Sequence, residues 1–168
     1  MIELLILTIL LDNKSSIYGI KQKIENKFSA FFKISFGSIY PALKKLEKNK
    51  YVTVKTQLSP GGQKKSTYSI TNEGKEYFQV LMLEVLPENP ALASQLINIK
   101  LIALPKIEVT LQQQATNTII EHLEHNKANI EILLNNPENN KDKFQKKFLE
   151  YNLIKTLEDI KWISSLTS

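Results

Sequence analysis

The chain has 168 residues, of which 42% are hydrophobic and 23% charged; this composition excludes a disordered chain and suits one or two small domains. It contains no cysteine, which excludes disulfides and thiolate metal sites and favours a reducing, cytoplasmic setting. The net charge of +5 is uneven, since residues 1–80 hold 13 lysines against 6 acids and residues 81–168 hold 9 against 11. A basic N-terminal half indicates a nucleic-acid partner, although a lysine-rich solvated surface would give the same count.

The first two predicted helices form the start of a core. Residues 1–12 are apolar almost all round, which predicts a buried first helix. The stretch has no basic leader, contains Glu3 and is about half the length of a bilayer span, so we expect neither a targeting nor a membrane segment. After a polar turn, apolar residues recur at helical spacing and predict a second helix that ends near Lys27. These residues are Ile17, Ile20, Ile24 and Phe28.

The third predicted helix has a core face and a cationic face. It begins between Ser35 and Ser38, and Pro41 favours the later start because proline is tolerated best in the first turn. At about 100° per residue, one side is apolar and the other is basic. The apolar side holds Ile39, Ala42, Leu43 and Leu46. The basic side holds Pro41, Lys44, Lys45 and Lys48, with Ser38 and Tyr40 at its margins.

A hairpin and a fourth helix complete the N-terminal half. Alternation predicts strands over residues 51–58 and 64–70, joined by a Ser-Pro-Gly-Gly turn in which glycine supplies positive φ angles. Thr71 is the expected cap of the next helix. The order helix, helix, helix, hairpin, helix is that of a winged helix. We therefore predict a mainly α chain (an α+β winged helix), with an N-terminal winged helix-turn-helix domain over residues 1–86.

Residues 87–168 are predicted to form an antiparallel helical dimerisation domain. Asn89 followed by Pro90 marks a helix start, and this helix is expected to run to about Ile102. A long helix follows over residues 109–135, then an Asn/Pro loop over 135–140, then a last helix over 141–166. The long helix carries Ile119, Leu123, Asn126, Ile130 and Leu133 at alternating spacings of four and three. This seam could join two chains or pack within one chain.

The last predicted helix is apolar on two opposed faces. One face holds Phe144, Phe148, Tyr151, Trp162 and Leu166, and the other holds Leu149, Leu153, Leu157 and Ile160. Such a helix must be covered twice, and a three-helix tail has too little chain to do so. We therefore expect the second face to meet another subunit. The predicted dimer interface comprises Leu123, Ile130, Leu149, Leu153, Leu157 and Ile160.

Three motifs closely resemble those of the PadR family of transcriptional regulators. They are Tyr-Gly-Ile at 18–20, Gly-Ser-Ile-Tyr-Pro-Ala-Leu-Lys-Lys-Leu-Glu at 37–47, and Thr-Tyr-Ser-Ile-Thr-Asn-Glu-Gly-Lys-Glu at 67–76. The resemblance covers residues 1–80, and the length of the tail looks like the larger-tailed branch, akin to the virulence-activator regulators. It implies a homodimeric winged-helix repressor, which in some members is released by a small apolar or aromatic effector.

The resemblance implies a DNA-binding surface on the third helix and the wing. The third helix would enter the major groove, where Ser38 and Tyr40 at its leading end, beside Pro41, are best placed to contact base edges or phosphate. Its lysines Lys44, Lys45 and Lys48 would mostly neutralise phosphate. Lys64, Lys65 and Thr67 would reach phosphate or the adjacent minor groove. The wing departs from many relatives, which have Gly-Arg-Pro-Arg-Lys where this chain has Gly-Gly-Gln-Lys-Lys, so the arginine role must fall to Lys64 or Lys65.

The chain contains no arginine, so bidentate arginine–guanine contacts are excluded. We therefore expect sequence specificity to depend mainly on groove shape and AT-rich sequence.

An alternative function is a winged helix used only for protein contact. A small aromatic effector could stack on Tyr151 and Trp162, although such residues also suit an interface core. An enzyme is not expected: His122 and His125 lack a third metal ligand, and an exposed polar helix face explains them. No cofactor or metal is predicted.

Overall fold

The computed structural model of the chain describes residues 1–58, 62 and 64–167, with the backbone alone at Asn140. These residues form two compact units, 1–108 and 109–168. The first unit contains α1 (Ile2–Asp12), α2 (Ile17–Phe28), α3 (Phe36–Lys48), β1 (Val52–Leu58), β2 (Lys64–Ile70), α4 (Asn72–Leu83), α5 (Pro90–Ala103) and a 3-10 turn (Leu104–Lys106). The second contains α6 (Val109–Asn135), α7 (Pro137–Lys141) and α8 (Lys143–Ser164).

The α1 helix is the centre of the first unit, as its uniform apolar character predicts. Every residue from Leu4 to Leu10 is buried, and α1 packs against α2, α3 and α4. Thr8 is the one polar member of this run, and its hydroxyl donates to the carbonyl of Leu4 at 2.7 Å. No described helix is both long enough and apolar enough to cross a membrane.

Local capping fixes the helix starts that the sequence predicts. Ser16 accepts a hydrogen bond from the Gly19 amide at 3.2 Å, and Thr71 accepts one from the Gly74 amide at 2.9 Å. Gly74 is required by packing as well, because a Cβ there would lie 2.0 Å from the Tyr51 carbonyl oxygen. The winged-helix order predicted for this half of the chain is confirmed.

The start of α3 lies at the early end of the predicted interval, so only the preference for a start near Ser38 is wrong. The helix begins at Phe36, capped by Ser35, rather than near Ser38, so Pro41 lies inside it. The first turn accommodates this because the Ser35 carbonyl accepts from the amides of both Ser38 and Ile39, each at 3.2 Å. Pro41 removes only the hydrogen bond to the carbonyl of Gly37, an exposed residue whose oxygen water can reach.

The hairpin is a two-stranded antiparallel sheet whose register pairs Val52 with Ile70 and Leu58 with Lys64. Ser15, in the turn between α1 and α2, bridges Tyr68 through two backbone hydrogen bonds of 3.0 and 2.9 Å and ties β2 to the helices. Gly62 has φ 75°, in agreement with the predicted glycine turn. The rest of that turn, residues 59–61 and 63, lies outside the described residues.

The second unit is built on α6 and α8, which pack against each other. The predicted loop at 135–140 is instead the short helix α7, because Asn136 caps it by accepting from the Glu138 amide at 3.0 Å and Pro137 occupies its first position. Asp142 then starts α8 by accepting from the Phe144 amide at 2.7 Å. The last helix predicted over 141–166 corresponds to α8, with bounds within about two residues of those predicted.

The division between the two compact units, after residue 108, is a division by packing and does not test the predicted functional boundary at residue 86. By its packing, α5 belongs to the first unit, where it contacts α1. The assignment of residues 87–168 to a dimerisation domain stays a prediction.

Lys100 on α5 is completely buried and donates to the carbonyl of Glu84, just after α4. Burial lowers the pKa of Lys100 to about 8, although the nearby charge of Glu84 opposes this. Between pH 8 and the ordinary lysine value the unfolded chain binds more protons, so stability should rise with pH.

We expect the unfolding free energy of the wild type to rise relative to that of Lys100→Met by up to about 1 kcal/mol per pH unit between pH 8 and 10. Urea unfolding at both pH values measures this difference. Parallel changes in the two proteins would contradict a buried lysine of lowered pKa.

Candidate nucleic-acid interface

The α3 helix presents two chemically opposite faces. Ile39, Leu43 and Leu46 are fully buried against the first unit's core, and Ala42 is half-buried beside them. On the opposite side Pro41, Lys44, Lys45 and Lys48 are exposed, as predicted. The core anchors the helix rigidly while its cationic face stays open to a partner.

The leading end of α3 contains the predicted base-contacting residues. Tyr40 is 52% exposed, and the Lys44 ammonium lies 5.9 Å from the centre of its ring. Ser38 is half-buried and donates its hydroxyl to the Ser35 carbonyl at 2.9 Å. Tyr40 is therefore open to a ligand, whereas the Ser38 hydroxyl already has a local acceptor.

The cationic side chains of α3 differ in their partners. Lys44 forms an ion pair with Glu47 at 2.8 Å, and this hydrogen bond raises the pKa of the Lys44 ammonium. The exposed Lys48 has no ion-pair partner among the described residues. The ammonium group of Lys48 is thus available to a polyanion, and that of Lys44 can contact a polyanion while it stays paired with Glu47.

Lys45 is partly a structural residue. Its ammonium contacts the Glu3 carboxylate at 2.6 Å, and the same carboxylate accepts from the Tyr77 hydroxyl at 2.7 Å. Burial alone would raise the pKa of Glu3, but the hydrogen bonds from Lys45 and Tyr77 hold it below its ordinary value. Tyr77 also stacks on Tyr51 with ring centres 4.1 Å apart. These contacts link α3 to α1 and α4, a role that the sequence did not reveal.

The wing has two faces, and the predicted contact residues lie on different ones. Directly paired residues of an antiparallel ladder share a face. Lys65 and Thr67 therefore lie with Gln57 and Lys55, whereas Lys64 lies on the face of Tyr68. The resemblance to the family makes Lys64 and Lys65 equivalent candidates for the arginine role of the wing. The alternation of side chains along a strand nevertheless places the two lysines on opposite faces.

Three further exposed or half-buried wing residues are not in the predicted contact set. Lys55 is an exposed cation paired with Thr67, and Thr56 is paired with Ser66, whose hydroxyl lies 3.0 Å from that of Thr56. The register of β1 against β2 could have identified them, because it shows which residues of β1 lie opposite the predicted residues of β2. A known turn length would fix this register. An exposed aromatic pair was missed as well: Tyr18 and Phe36 meet edge to face at 4.9 Å.

Within this single chain, the face of α8 that contains Leu149 is more buried than the aromatic face. Of the predicted dimer residues, Leu123 and Leu149 are each only 8% exposed within this single chain. Ile130, Leu153 and Ile160 are half-buried, and Leu157 is exposed. The seam on α6 therefore packs within the chain at Ile119 and Leu123.

The aromatic face of α8 is the open one. Its exposed members are Phe144, Phe148, Tyr151 and Trp162, of which Phe144 is 82% exposed. The predicted effector residues Tyr151 and Trp162 thus lie on an open helix surface. On α6, burial and the charge of His125 lower the pKa of the half-buried His122. No group of three or more potential metal ligands occurs among the described residues.

A cavity of about 250 Å³ adjoins the start of α3 within the first unit. Apolar side chains of α1 and of the linker before α3 form much of its wall, including Ile2, Leu5, Phe32 and Ile34. Lys33, Ser38 and Gln95 supply its polar groups. No pattern in the sequence indicates this cavity.

The helix α3 buries one face and exposes a cationic one, and a basic hairpin follows it after the three-helix core. This arrangement is that of a winged-helix protein. Residues 6–80 match the family described as the transcriptional regulator PadR-like family. No curated protein matches the chain. The chain belongs to the PadR-like family of transcriptional regulators, whose members are not enzymes.

Several solved structures are similar to the chain. The PadR-like transcriptional regulator of Bacillus cereus is 31% identical, covering 46% of this chain and 74% of that one, with a TM-score of 0.40. The smu.1704 protein of Streptococcus mutans is 35% identical, covering 48% and 71%, with a TM-score of 0.40. Bacillus subtilis PadR in complex with operator DNA is 19% identical, covering 98% and 96%, with a TM-score of 0.48.

Proposed function

We propose that the chain regulates transcription by binding double-stranded DNA sequence-specifically, with α3 in the major groove. The observation that carries this proposal is the division of α3: three residues of one face are fully buried, and the opposite face exposes Tyr40, Lys44 and Lys48. A helix of this kind is the element that helix-turn-helix proteins insert into the groove. The lysines supply the phosphate contacts on which affinity depends.

The roles of the predicted residues follow from their exposure. Tyr40 and Pro41 meet base edges or the groove wall, Lys44 and Lys48 neutralise phosphates, and Lys45 adds its charge while holding Glu3. Because the chain has no arginine, discrimination rests on groove shape and deformability more than on guanine contacts.

Selection from a pool of 30-base-pair duplexes with randomised cores tests the proposal. We expect the full-length protein to enrich AT-rich sites with dyad symmetry. Failure to enrich any sequence, together with the absence of duplex binding, would favour the alternative of a winged helix that contacts only proteins.

We propose that two copies of the chain associate through the aromatic face of α8, defined as Phe144, Phe148, Tyr151 and Trp162. Four large exposed apolar side chains on one helix face form the kind of patch that soluble proteins cover with a partner. We propose this surface rather than the set predicted from the sequence because two of that set's six members, Leu123 and Leu149, are already buried within the single chain. A two-fold dimer would offer two α3 helices to successive major grooves about 34 Å apart.

We further propose that the dimer represses its target genes and that a small aromatic effector releases it. Tyr151 and Trp162 offer stacking surfaces, although a dimer contact at the same residues would compete for them. Trp162 is the only tryptophan, so quenching of its fluorescence by candidate effectors reports on this surface. The absence of cysteine and the DNA partner place the protein in the cytoplasm under this proposal.

A further inference from the structure

The two faces of the wing differ in their relation to α3. One face, which we call the inner wing face, consists of Thr56, Leu58, Lys64 and Ser66 and continues from Tyr68. The other, the outer wing face, consists of Lys55, Gln57, Lys65 and Thr67. The alternation of side chains along a strand makes this division unambiguous.

Tyr68 shows that the inner wing face continues the side of the hairpin that packs on the helices. Its side chain is 5% exposed and lies on the same face as Val52 and Ile70, which is the side that the helices cover. Burial raises the pKa of the Tyr68 phenol, and the charge of Lys44 opposes this shift. The inner wing face therefore extends the side of the hairpin that packs on the helices, and β1 is the strand that contacts α3.

A pair of hydroxyl groups occupies the inner wing face just beyond Tyr68. Thr56 Oγ1 and Ser66 Oγ lie 3.0 Å apart, so one hydroxyl donates to the other. Since each hydroxyl carries one hydrogen, the accepting hydroxyl keeps its own hydrogen without an acceptor among the described residues. Donation within the pair polarises that remaining O–H group and makes it a better donor.

The next ladder pair toward the tip adds a cation and an apolar contact. Lys64 is exposed and precedes Ser66 by two residues, so the two side chains lie on the same face of β2. Leu58 is opposite Lys64 and is 71% exposed, so it adds an apolar surface to this row. A hydroxyl donor, an ammonium group and an apolar surface in one row match a phosphate, its sugar and the wall of the groove.

We propose that the inner wing face binds the DNA backbone, with the Thr56–Ser66 hydroxyl pair and Lys64 holding one phosphate, and that the outer wing face does not contact DNA. This inference rests on the proposed DNA-binding function, and it removes Lys65 and Thr67 from the contact set predicted from the sequence. Lys55, although cationic, lies on the outer wing face too.

The experiment compares matched variants of the full-length protein by fluorescence anisotropy, using the duplex that the wild type enriches from the randomised pool. The inner variants are Thr56→Val with Ser66→Ala, and Lys64→Met. The outer controls are Thr67→Val and Lys65→Met, which remove a hydroxyl and an ammonium group from the other face. Thermal unfolding by circular dichroism confirms that all variants fold equally well.

We expect the hydroxyl double variant to bind about 10-fold more weakly with an unchanged salt slope, since it removes neutral donors. Lys64→Met should weaken binding and reduce the slope of log K against log salt by about 0.9 for each phosphate that is no longer neutralised. The outer controls should stay within about twofold of the wild type, a small fraction of the effect of one phosphate contact.

Two results would overturn the wing assignment while leaving the proposed function intact: outer variants that lose as much affinity as inner ones, or inner variants that bind like the wild type. A wild type that binds no duplex would refute the proposed function itself, and the wing assignment would fall with it.

Discussion

Replacing Lys44 and Lys48 with glutamate is expected to weaken duplex binding by at least about 100-fold. Both side chains are exposed on the face of α3 opposite its buried residues. Each substitution removes a phosphate contact and places a carboxylate where the DNA backbone would lie, so attraction becomes repulsion at two points in each chain. Anisotropy titration with the enriched duplex measures the decrease in affinity.

The matched control for this charge reversal is Lys75→Glu with Lys155→Glu. Both lysines are exposed and belong to α4 and α8 rather than to α3 or the wing, and the net charge changes by the same amount. We expect this control to lose much less affinity than the α3 variant. Equal decreases would show that net charge alone drives binding, and two unaffected variants would favour a protein-interaction module.

The second large effect is expected at the aromatic face of α8. Phe148→Glu with Tyr151→Glu should convert the dimer to a monomer and weaken binding to a dyad-symmetric duplex by about 100-fold. Burying each aromatic side chain at an interface contributes about 1.5–3 kcal/mol, and an unpaired buried carboxylate opposes association further. Sedimentation velocity measures the oligomeric state, and anisotropy measures the affinity.

Ala128→Glu with Asn129→Glu is the control for the α8 variant. Both positions are exposed on α6, and the pair adds the same two negative charges to the tail. This control should sediment like the wild type. If instead the α8 variant stays dimeric and the wild type is a dimer, the aromatic face is not the interface and the remaining exposed apolar residues of the tail must be tested.

Most elements could be predicted because local signals determine them. Asn89 with Pro90, Ser16 and Thr71 are start signals whose hydrogen bonds the structure contains, and residues 109–135 form one helix because their apolar stripe has no break. The errors fell where two local signals compete. Pro41 favoured a late start of α3. The helix nevertheless starts earlier, and the backbone carbonyl of Ser35 accepts hydrogen bonds from two amides of its first turn.

A helical wheel of α8 does not show which of its two apolar faces packs within the chain. The wheel identified two apolar faces correctly, yet which face packs on α6 depends on side-chain fit between elements far apart in sequence. The same applies to Lys45, whose partner Glu3 is 42 residues away. The two-sided character of α3 was predictable because its apolar and cationic residues separate cleanly. The two sides of the wing required the register.

The salt dependence of duplex binding tests the central claim most directly. If six to eight phosphates are neutralised per dimer, log K should fall against log salt with a slope of roughly −5 to −7. The measurement uses the full-length protein and the enriched duplex between about 50 and 200 mM salt. A slope in that range supports a regulator that binds DNA through α3 and the inner wing face, and a slope near zero would contradict it.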